Sequence, residues 1–172
     1  FVGSIINTEK LNNAFSEINS KNTRYTKFEQ AAILSAHNAL QQTGIDPTSE
    51  KVIVILSTTK GNVHLLENID GYEPERIHLW RSAQVIAQFF GNPNEPLVIS
   101  NACISGASAQ ITAKRLLESK AYDYAIVIGA DMLSKFVVSG FQSFKALSPE
   151  LCKPYDQNRC GLNLGEAAAT II

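Results

Sequence analysis

The stretch LVISNACISGASAQ, Leu97 to Gln110, decides the fold because a buried strand runs straight into a cysteine. The apolar run Leu97 to Ile99 stops at small and polar residues, and Cys103 follows. The residues after it, up to Leu117, are rich in alanine and serine and read as a helix. The sequence therefore predicts a strand-to-helix turn that carries one sulfur.

Helices and apolar strands alternate on both sides of this turn. The patterns predict helices over 28–42 and 77–90, and strands over 51–56, 97–99 and 124–128. From 132 to 159 the pattern weakens into a long connection, and 161–172 ends in a further strand. Fully apolar strands that alternate with helices favour a mostly parallel sheet covered by helices, so the predicted fold class is α/β.

Composition restricts the function classes. The chain has 172 residues, of which 45% are hydrophobic, and this suits one globular domain over 1–172. Its net charge of -1 gives no general electrostatic attraction for nucleic acid or a membrane surface. No apolar run approaches the roughly 18 residues of a spanning helix, and the first residues lack a secretion signal, so we expect a cytoplasmic protein.

The three cysteines, Cys103, Cys152 and Cys160, show no C-x-x-C pair, and reduced thiols are the expected state. Cys103 differs from the other two because a helix start offers unpaired backbone N–H groups that favour the thiolate. Its neighbours are small, so a substrate carbonyl has room to reach the sulfur, as acyl transfer requires. The alternative is that Cys103 only packs as a small apolar side chain. Asn101 and Ser105 replace the glycines of a serine-hydrolase elbow, which disfavours that fold.

Several segments share their order with one known family. They are NACISG at 101–106, GAD at 129–131, the G-F pair at 140–141, ALS at 146–148 and PYDQNRCGLNLGEAAA at 154–169, with RYTKF at 24–28 and STTKGN at 57–62 upstream. Taken together they resemble the elongating β-ketoacyl-acyl carrier protein synthases, which have the thiolase-like fold. The sequence departs from the family signature at Cys160, Leu162 and Ala167, and this bears on the subfamily more than on the chemistry.

The resemblance implies a fold. The chain is similar to the N-terminal half of such an enzyme: a mixed five-stranded sheet with helices on both faces, in three α/β/α layers. The second, C-terminal half has no counterpart in these 172 residues. The family's first strand is hard to find in FVGSII. Without that strand we expect the sheet to lack its central member, and with a diverged version the sheet is complete.

The resemblance also implies an activity. Cys103 takes an acyl group from acyl carrier protein, and its backbone N–H forms part of the oxyanion hole. Malonyl-carrier protein then loses carbon dioxide and attacks the thioester, using histidines, a lysine and a glutamate of the second half. This chain alone is therefore expected to lack condensation activity. We expect no cofactor and no metal. We expect a homodimer or pairing with a second synthase half as partner, with no nucleic acid and no membrane.

Other residues receive structural interpretations. His37, His64 and His78 lie outside the family's catalytic segments and are assigned no catalytic role. The three carboxylates Asp131, Asp156 and Glu166 are expected to stabilise turns, with Arg159 pairing one of them. The rings of Phe136, Phe141 and Phe144 are expected in the core or an interface rather than in an acyl pocket. The basic residues Lys114, Arg115 and Lys120 are read as a solvated helix end.

Two alternatives to a condensing enzyme remain open. A non-catalytic chain-length or scaffold partner of a synthase shares the fold, but such partners commonly replace the cysteine that is kept here as Cys103. A thiolase acting on acyl-CoA also shares the fold and the nucleophilic cysteine. The PYDQNRCG segment favours the synthase over the thiolase.

Overall fold

A four-stranded sheet forms the centre of the computed structural model, which describes residues 3–20, 23–69 and 71–172. The strand order is β3-β2-β4-β6, with the bounds Leu97–Ile99, Val52–Ser57, Tyr124–Asp131 and Ala167–Ile171. Strand β2 pairs in parallel with β3 and β4, whereas β6 runs antiparallel to β4. The sheet is therefore mixed, as predicted.

Alternation of side chains along the two central strands explains why helices cover both faces. On one face Val54, Leu56 and Ile126 pack into a core with three helices. On the other face Ile53 and Ile55 pack against the fourth helix, through small alanines. The predicted three-layer α/β/α architecture is confirmed.

The chain forms five α-helices within the described residues. They are α1 Thr8–Ile18, α2 Lys27–Leu40, α3 Leu79–Phe89, α4 Ser105–Glu118 and α5 Lys135–Ser143, with short 3-10 turns at Val63–Leu66, Pro74–Ile77 and Ala102–Ile104. The predicted helices correspond to α2, α3 and α4. Helices α1 and α5 were not predicted, because α1 buries only Leu11 and Phe15 and α5 buries only Val137. Within the described residues, no helix has the length and apolar character needed to cross a membrane.

The predicted fifth strand does not join the main sheet. Strand β1, Gly3–Ser4, instead pairs in parallel with β5, Leu164–Gly165, as a separate two-stranded sheet. Two small, exposed residues offer no apolar surface for a central position, and β2 and β4 already occupy the centre of the four-stranded sheet. The expectation that the sheet would lack its central member is therefore wrong. Phe1 and Val2, the start of the FVGSII segment, lie outside the described residues.

Candidate active site

Cys103 lies on the predicted turn between β3 and α4, in the 3-10 turn Ala102–Ile104 that precedes the helix. Ala102 has a φ of 44°, a conformation that an alanine adopts only at a cost. Ser105 holds this backbone, because its buried Oγ accepts from the Asn101 N–H and donates to the Ala102 carbonyl oxygen, both at 2.7 Å. The Cys103 side chain is exposed. The local fold thus exposes the sulfur on a turn that the Ser105 hydroxyl holds by two hydrogen bonds.

The thiol faces an open cleft of 530 Å³ at the carboxyl ends of the parallel strands. Small and hydroxyl-bearing residues dominate its lining: Ser57, Thr58, Thr59, Lys60, Ala102, Cys103, Ser105, Gly106, Gly129, Ala130, Asp131, Phe141, Gly165, Ala167 and Ala169. The Thr58 hydroxyl donates to the Asp131 carboxylate at 2.8 Å and ties the ends of β2 and β4 together. Asp131 thus has the stabilising contact that the sequence predicted.

A buried polar network anchors the turn that follows β2. The Glu29 carboxylate, 0% exposed, accepts from Arg76 Nε and from Asn62 Nδ2, each at 2.9 Å. Asn62 also donates to the Arg76 carbonyl and accepts from the Thr26 hydroxyl at 2.6 Å. Burial lowers the pKa of the Arg76 guanidinium, but the hydrogen bonds and charge of Glu29 outweigh burial and raise the pKa above its ordinary value.

Sequence reasoning missed this network, although one part of it leaves a local signal. Thr26 and Glu29 form a capping box at the start of α2, and the T-x-x-E spacing is readable in the sequence. The partner Arg76 lies 47 residues further along the chain, and no local pattern connects the two.

Glu166 is a second buried anchor, with its side chain 5% exposed. Its carboxylate accepts from the Ile6 N–H at 2.9 Å and the Leu133 N–H at 3.2 Å, and it pairs with the Lys27 ammonium at 2.5 Å. The residues on either side of Glu166 line the cleft. The predicted stabilising role therefore fits Glu166, which fixes the cleft wall to α2.

The predicted pairing of Arg159 with one of these carboxylates is wrong. Arg159 Nη1 donates to the backbone carbonyl of Asp156 at 3.0 Å, in an exposed loop. Glu166 is already paired with Lys27, and Asp131 is bonded to Thr58. The Asp156 carboxylate instead accepts from the Asn158 N–H at 2.6 Å, which is the predicted turn-stabilising contact.

The three phenylalanines do not share one environment. Phe136 is 61% and Phe144 is 79% exposed, so neither ring lies in the core, and an interface position for them stays a prediction. Because Val137 is the buried residue of α5, these rings remain on its free sides. Phe141 lines the Cys103 cleft, which places it at the site rather than in the core.

The remaining candidates lie away from the cleft. None of the three histidines, all of which the structure describes, lines it. Cys152 and Cys160 are exposed free thiols, and Cys160 Sγ lies 2.9 Å from Ser148 Oγ. Lys114 pairs with Glu118 at 3.6 Å on the surface of α4. Within the described ranges, no group of three or more His, Cys, Asp or Glu side chains is placed to hold a metal ion.

Protonation of His64 is expected to make the free energy of unfolding depend on pH, and a single substitution at this position tests that expectation. Burial lowers its pKa below the usual 6.5, although Glu29 and Glu67 act in the opposite direction. The unfolded chain therefore binds more protons at this position, and stability is lost as pH falls through about 6.5 toward the folded-state pKa. We expect His64→Gln to reduce the fall in the free energy of unfolding between pH 7.5 and 5.5, measured by urea denaturation.

The matched control for this prediction is His78→Gln. The His78 ring is exposed and stacks on Trp80 with 6.1 Å between ring centroids. We expect this variant to keep the wild-type dependence on pH. An equal fall in wild type and His64→Gln would contradict the assignment.

The chain combines an α/β fold with a cysteine on a strained turn that lines a cleft at the ends of the parallel strands, as the resemblance to the thiolase-like synthases implies. The family model of the beta-ketoacyl synthase N-terminal domain matches residues 2–172. The chain belongs to this family. A comparison with curated proteins found no match.

Several solved structures of beta-ketoacyl synthases and ketosynthases have a fold similar to that of this chain. A beta-ketoacyl synthase from Burkholderia phymatum STM815 is 23% identical with a TM-score of 0.72, over 84% of this chain and 41% of that one. A ketosynthase in complex with its chain length factor, from Xenorhabdus doucetiae, is 27% identical with a TM-score of 0.68, over 92% of this chain and 42% of that one. The ishigamide ketosynthase/chain length factor is 25% identical with a TM-score of 0.66, over 84% and 41%. The chain thus spans less than half the length of these structures.

Proposed function

We propose that this chain is the acyl-accepting domain of a 3-oxoacyl-acyl carrier protein synthase in fatty acid or related polyene or polyketide biosynthesis. The Cys103 thiolate attacks the carbonyl of an acyl-carrier thioester, a new thioester forms on Cys103, and the carrier thiol leaves. Malonyl-carrier protein then loses carbon dioxide, and its carbanion attacks the Cys103 thioester. The 3-oxoacyl product remains on the carrier, and Cys103 is released as a thiolate.

The observation that carries this proposal is the presentation of Cys103. Its exposed thiol lies on a turn held by Ser105, at the head of a cleft lined largely by small residues. The sulfur is therefore accessible to a thioester carbonyl, and the proposal places the backbone N–H of Cys103 itself in the oxyanion hole.

The condensation step is proposed to need a second domain packed on α4. This helix buries Ser105, Ala109 and Ala113 against the sheet. Its opposite side is exposed and includes Ile111, and Ile104 is exposed just before the helix. Exposed apolar side chains beside the candidate nucleophile support a protein partner at this surface. A second domain there would supply the histidines that the described cleft does not contain.

The remaining partners follow from the same proposal. The substrates are acyl and malonyl thioesters of acyl carrier protein, and the chain acts in the cytoplasm. Strand β3 pairs with β2 on one side, and its other edge is the outer edge of the sheet. We propose that this edge supports a homodimer or pairing with a second synthase half.

A second candidate is a non-catalytic chain-length or scaffold partner of a synthase. Two of the similar structures are ketosynthase and chain length factor complexes, and this favours the candidate. It predicts the same fold and the same interfaces. It differs from the first proposal in requiring no acyl transfer to Cys103.

Intact-mass spectrometry after incubation with octanoyl-CoA tests the first proposal. We expect one octanoyl adduct on the wild-type chain and complete loss of that adduct in Cys103→Ala. Cys152→Ala is the matched control, because it removes an exposed thiol that does not line the cleft. It is expected to keep the adduct.

Two outcomes would contradict acyl transfer to Cys103. An adduct that survives in Cys103→Ala assigns the reaction to another nucleophile. No adduct on the wild-type chain, with the protein folded by circular dichroism, favours the scaffold partner instead.

A further inference from the structure

Lys60 is a cationic side chain in the cleft that the proposed chemistry leaves without a role. It is partly buried and lines the cleft together with Cys103. Among the described residues, Lys60 takes part in none of the ion pairs. An ammonium group that partly leaves water without a carboxylate partner favours binding of an anion.

The backbone that carries Lys60 is held on both sides. Before it, the Thr58 hydroxyl oxygen accepts from the Lys60 N–H at 3.4 Å and from the Gly61 N–H at 3.1 Å. After it, Asn62 is fixed by its hydrogen bonds to Glu29 and Thr26. Gly61 has a φ of 51°, which turns the chain sharply between the two anchors. Lys60 is therefore presented from a fixed turn rather than from a mobile loop.

The other charged group of the cleft is already engaged. Asp131 accepts the Thr58 hydroxyl and lies at the end of β4. The negative charge of Asp131 repels an anion in the cleft. Asp131 forms no ion pair with Lys60, so it does not occupy the lysine ammonium. The remaining lining is uncharged. Lys60 is therefore the group in the described cleft that is able to attract a negative substrate group.

We propose that Lys60 is a specificity-determining residue that binds an anionic group of the thioester substrate while the thioester lies at Cys103. This inference rests on the proposed function, because it assumes that the cleft holds a carrier-linked thioester. The two sources of such an anion are the phosphate of the carrier's pantetheine arm and a carboxylate on the acyl or extender unit. Both offer acceptor oxygens to the three N–H donors of the lysine.

Alkylation of Cys103 tests the proposal without requiring acyl transfer. Iodoacetate and iodoacetamide react alike: the thiolate attacks the methylene carbon and iodide leaves, but iodoacetate alone carries a carboxylate. The measured quantity is the ratio of the two rates at Cys103, by peptide mass spectrometry, with Cys152 and Cys160 as references in the same sample. We expect Lys60→Met to lower this ratio about three- to tenfold at Cys103 and to leave both references unchanged.

Two further variants sharpen the measurement. Lys51→Met removes the same charge at the opposite end of β2, where Lys51 is exposed, and we expect it to keep the wild-type ratio. Lys60→Glu reverses the charge and is expected to lower the ratio below that of Lys60→Met. Circular dichroism confirms that each variant is folded before the rates are compared.

A protection experiment distinguishes the phosphate from the carboxylate as the group that Lys60 binds. If Lys60 binds the phosphate, S-methyl-4′-phosphopantetheine protects Cys103 from iodoacetamide better than S-methylpantetheine does, and Lys60→Met removes the difference. The methyl groups keep the two protectants from consuming the reagent. If Lys60 binds a carboxylate, the iodoacetate ratio changes while the two protectants act equally. The proposal is overturned when Lys60→Met changes neither the ratio nor the protection. Neither the alkylation ratio nor the protection measurement requires an acyl adduct. Their results therefore do not depend on the outcome of the octanoyl-transfer experiment.

Discussion

Replacing Arg76 by methionine is expected to lower the free energy of unfolding by about 3 to 5 kcal/mol, because it leaves a buried carboxylate without its cation. Glu29 is fully buried, and both of its oxygens accept from the Arg76 guanidinium. A loss of this size is a large share of the roughly 5 to 15 kcal/mol that stabilises a typical domain. The measurement is urea denaturation followed by circular dichroism.

The double variant Glu29→Gln/Arg76→Met distinguishes a lost contact from an unpaired charge. Glutamine keeps an acceptor oxygen for Asn62 Nδ2 and removes the carboxylate charge. We therefore expect the double variant to be more stable than Arg76→Met alone, although one side chain more is changed. A double variant that is less stable than the single one would contradict the unpaired-charge explanation.

An exposed ion pair serves as the control. Glu118→Ala removes the partner of Lys114 on the surface of α4, where both side chains are largely exposed. We expect a change below about 0.5 kcal/mol in the free energy of unfolding. The contrast between the two pairs measures how much burial adds to the cost of breaking an ion pair.

The sequence predicts the elements that a local pattern describes. The apolar run at 51–56 gives β2, and the strand, cysteine and small-residue helix at 97–117 give the turn that presents Cys103. In both cases the residues that determine the element are neighbours in the chain. Periodicity and composition then contain the necessary information.

Features that join distant segments leave no such pattern. The Arg76–Glu29 pair spans 47 residues, and Glu166 binds Lys27 across 139. Helix α5 was not predicted from the sequence, because its single buried side chain does not form the apolar stripe by which an amphipathic helix is recognised. The place of Gly3–Ser4 beside β5 likewise depends on pairing across the whole chain rather than on the two residues themselves. These long-range contacts determine the shape of the cleft, so its walls were less predictable than its cysteine.

Phe28→Ala is expected to lower the free energy of unfolding by about 3 to 5 kcal/mol, since it opens a cavity where the first turn of α2 meets the core. The Phe28 side chain is fully buried. Its neighbours in the chain, Lys27 and Glu29, hold the cleft wall and the turn after β2 through their ion pairs.

Phe144→Ala is the matched control for this last prediction, because the same atoms are removed from an exposed ring. Its free energy of unfolding is expected to stay within about 0.5 kcal/mol of wild type. If the loss in Phe28→Ala arises in the core shared by α2 and the sheet, the iodoacetamide rate at Cys103 loses its difference from the rates at the exposed thiols Cys152 and Cys160 at the same urea concentrations at which the helical signal falls. A cleft that opens well before the core unfolds would show that the first turn of α2 holds the site separately from the core.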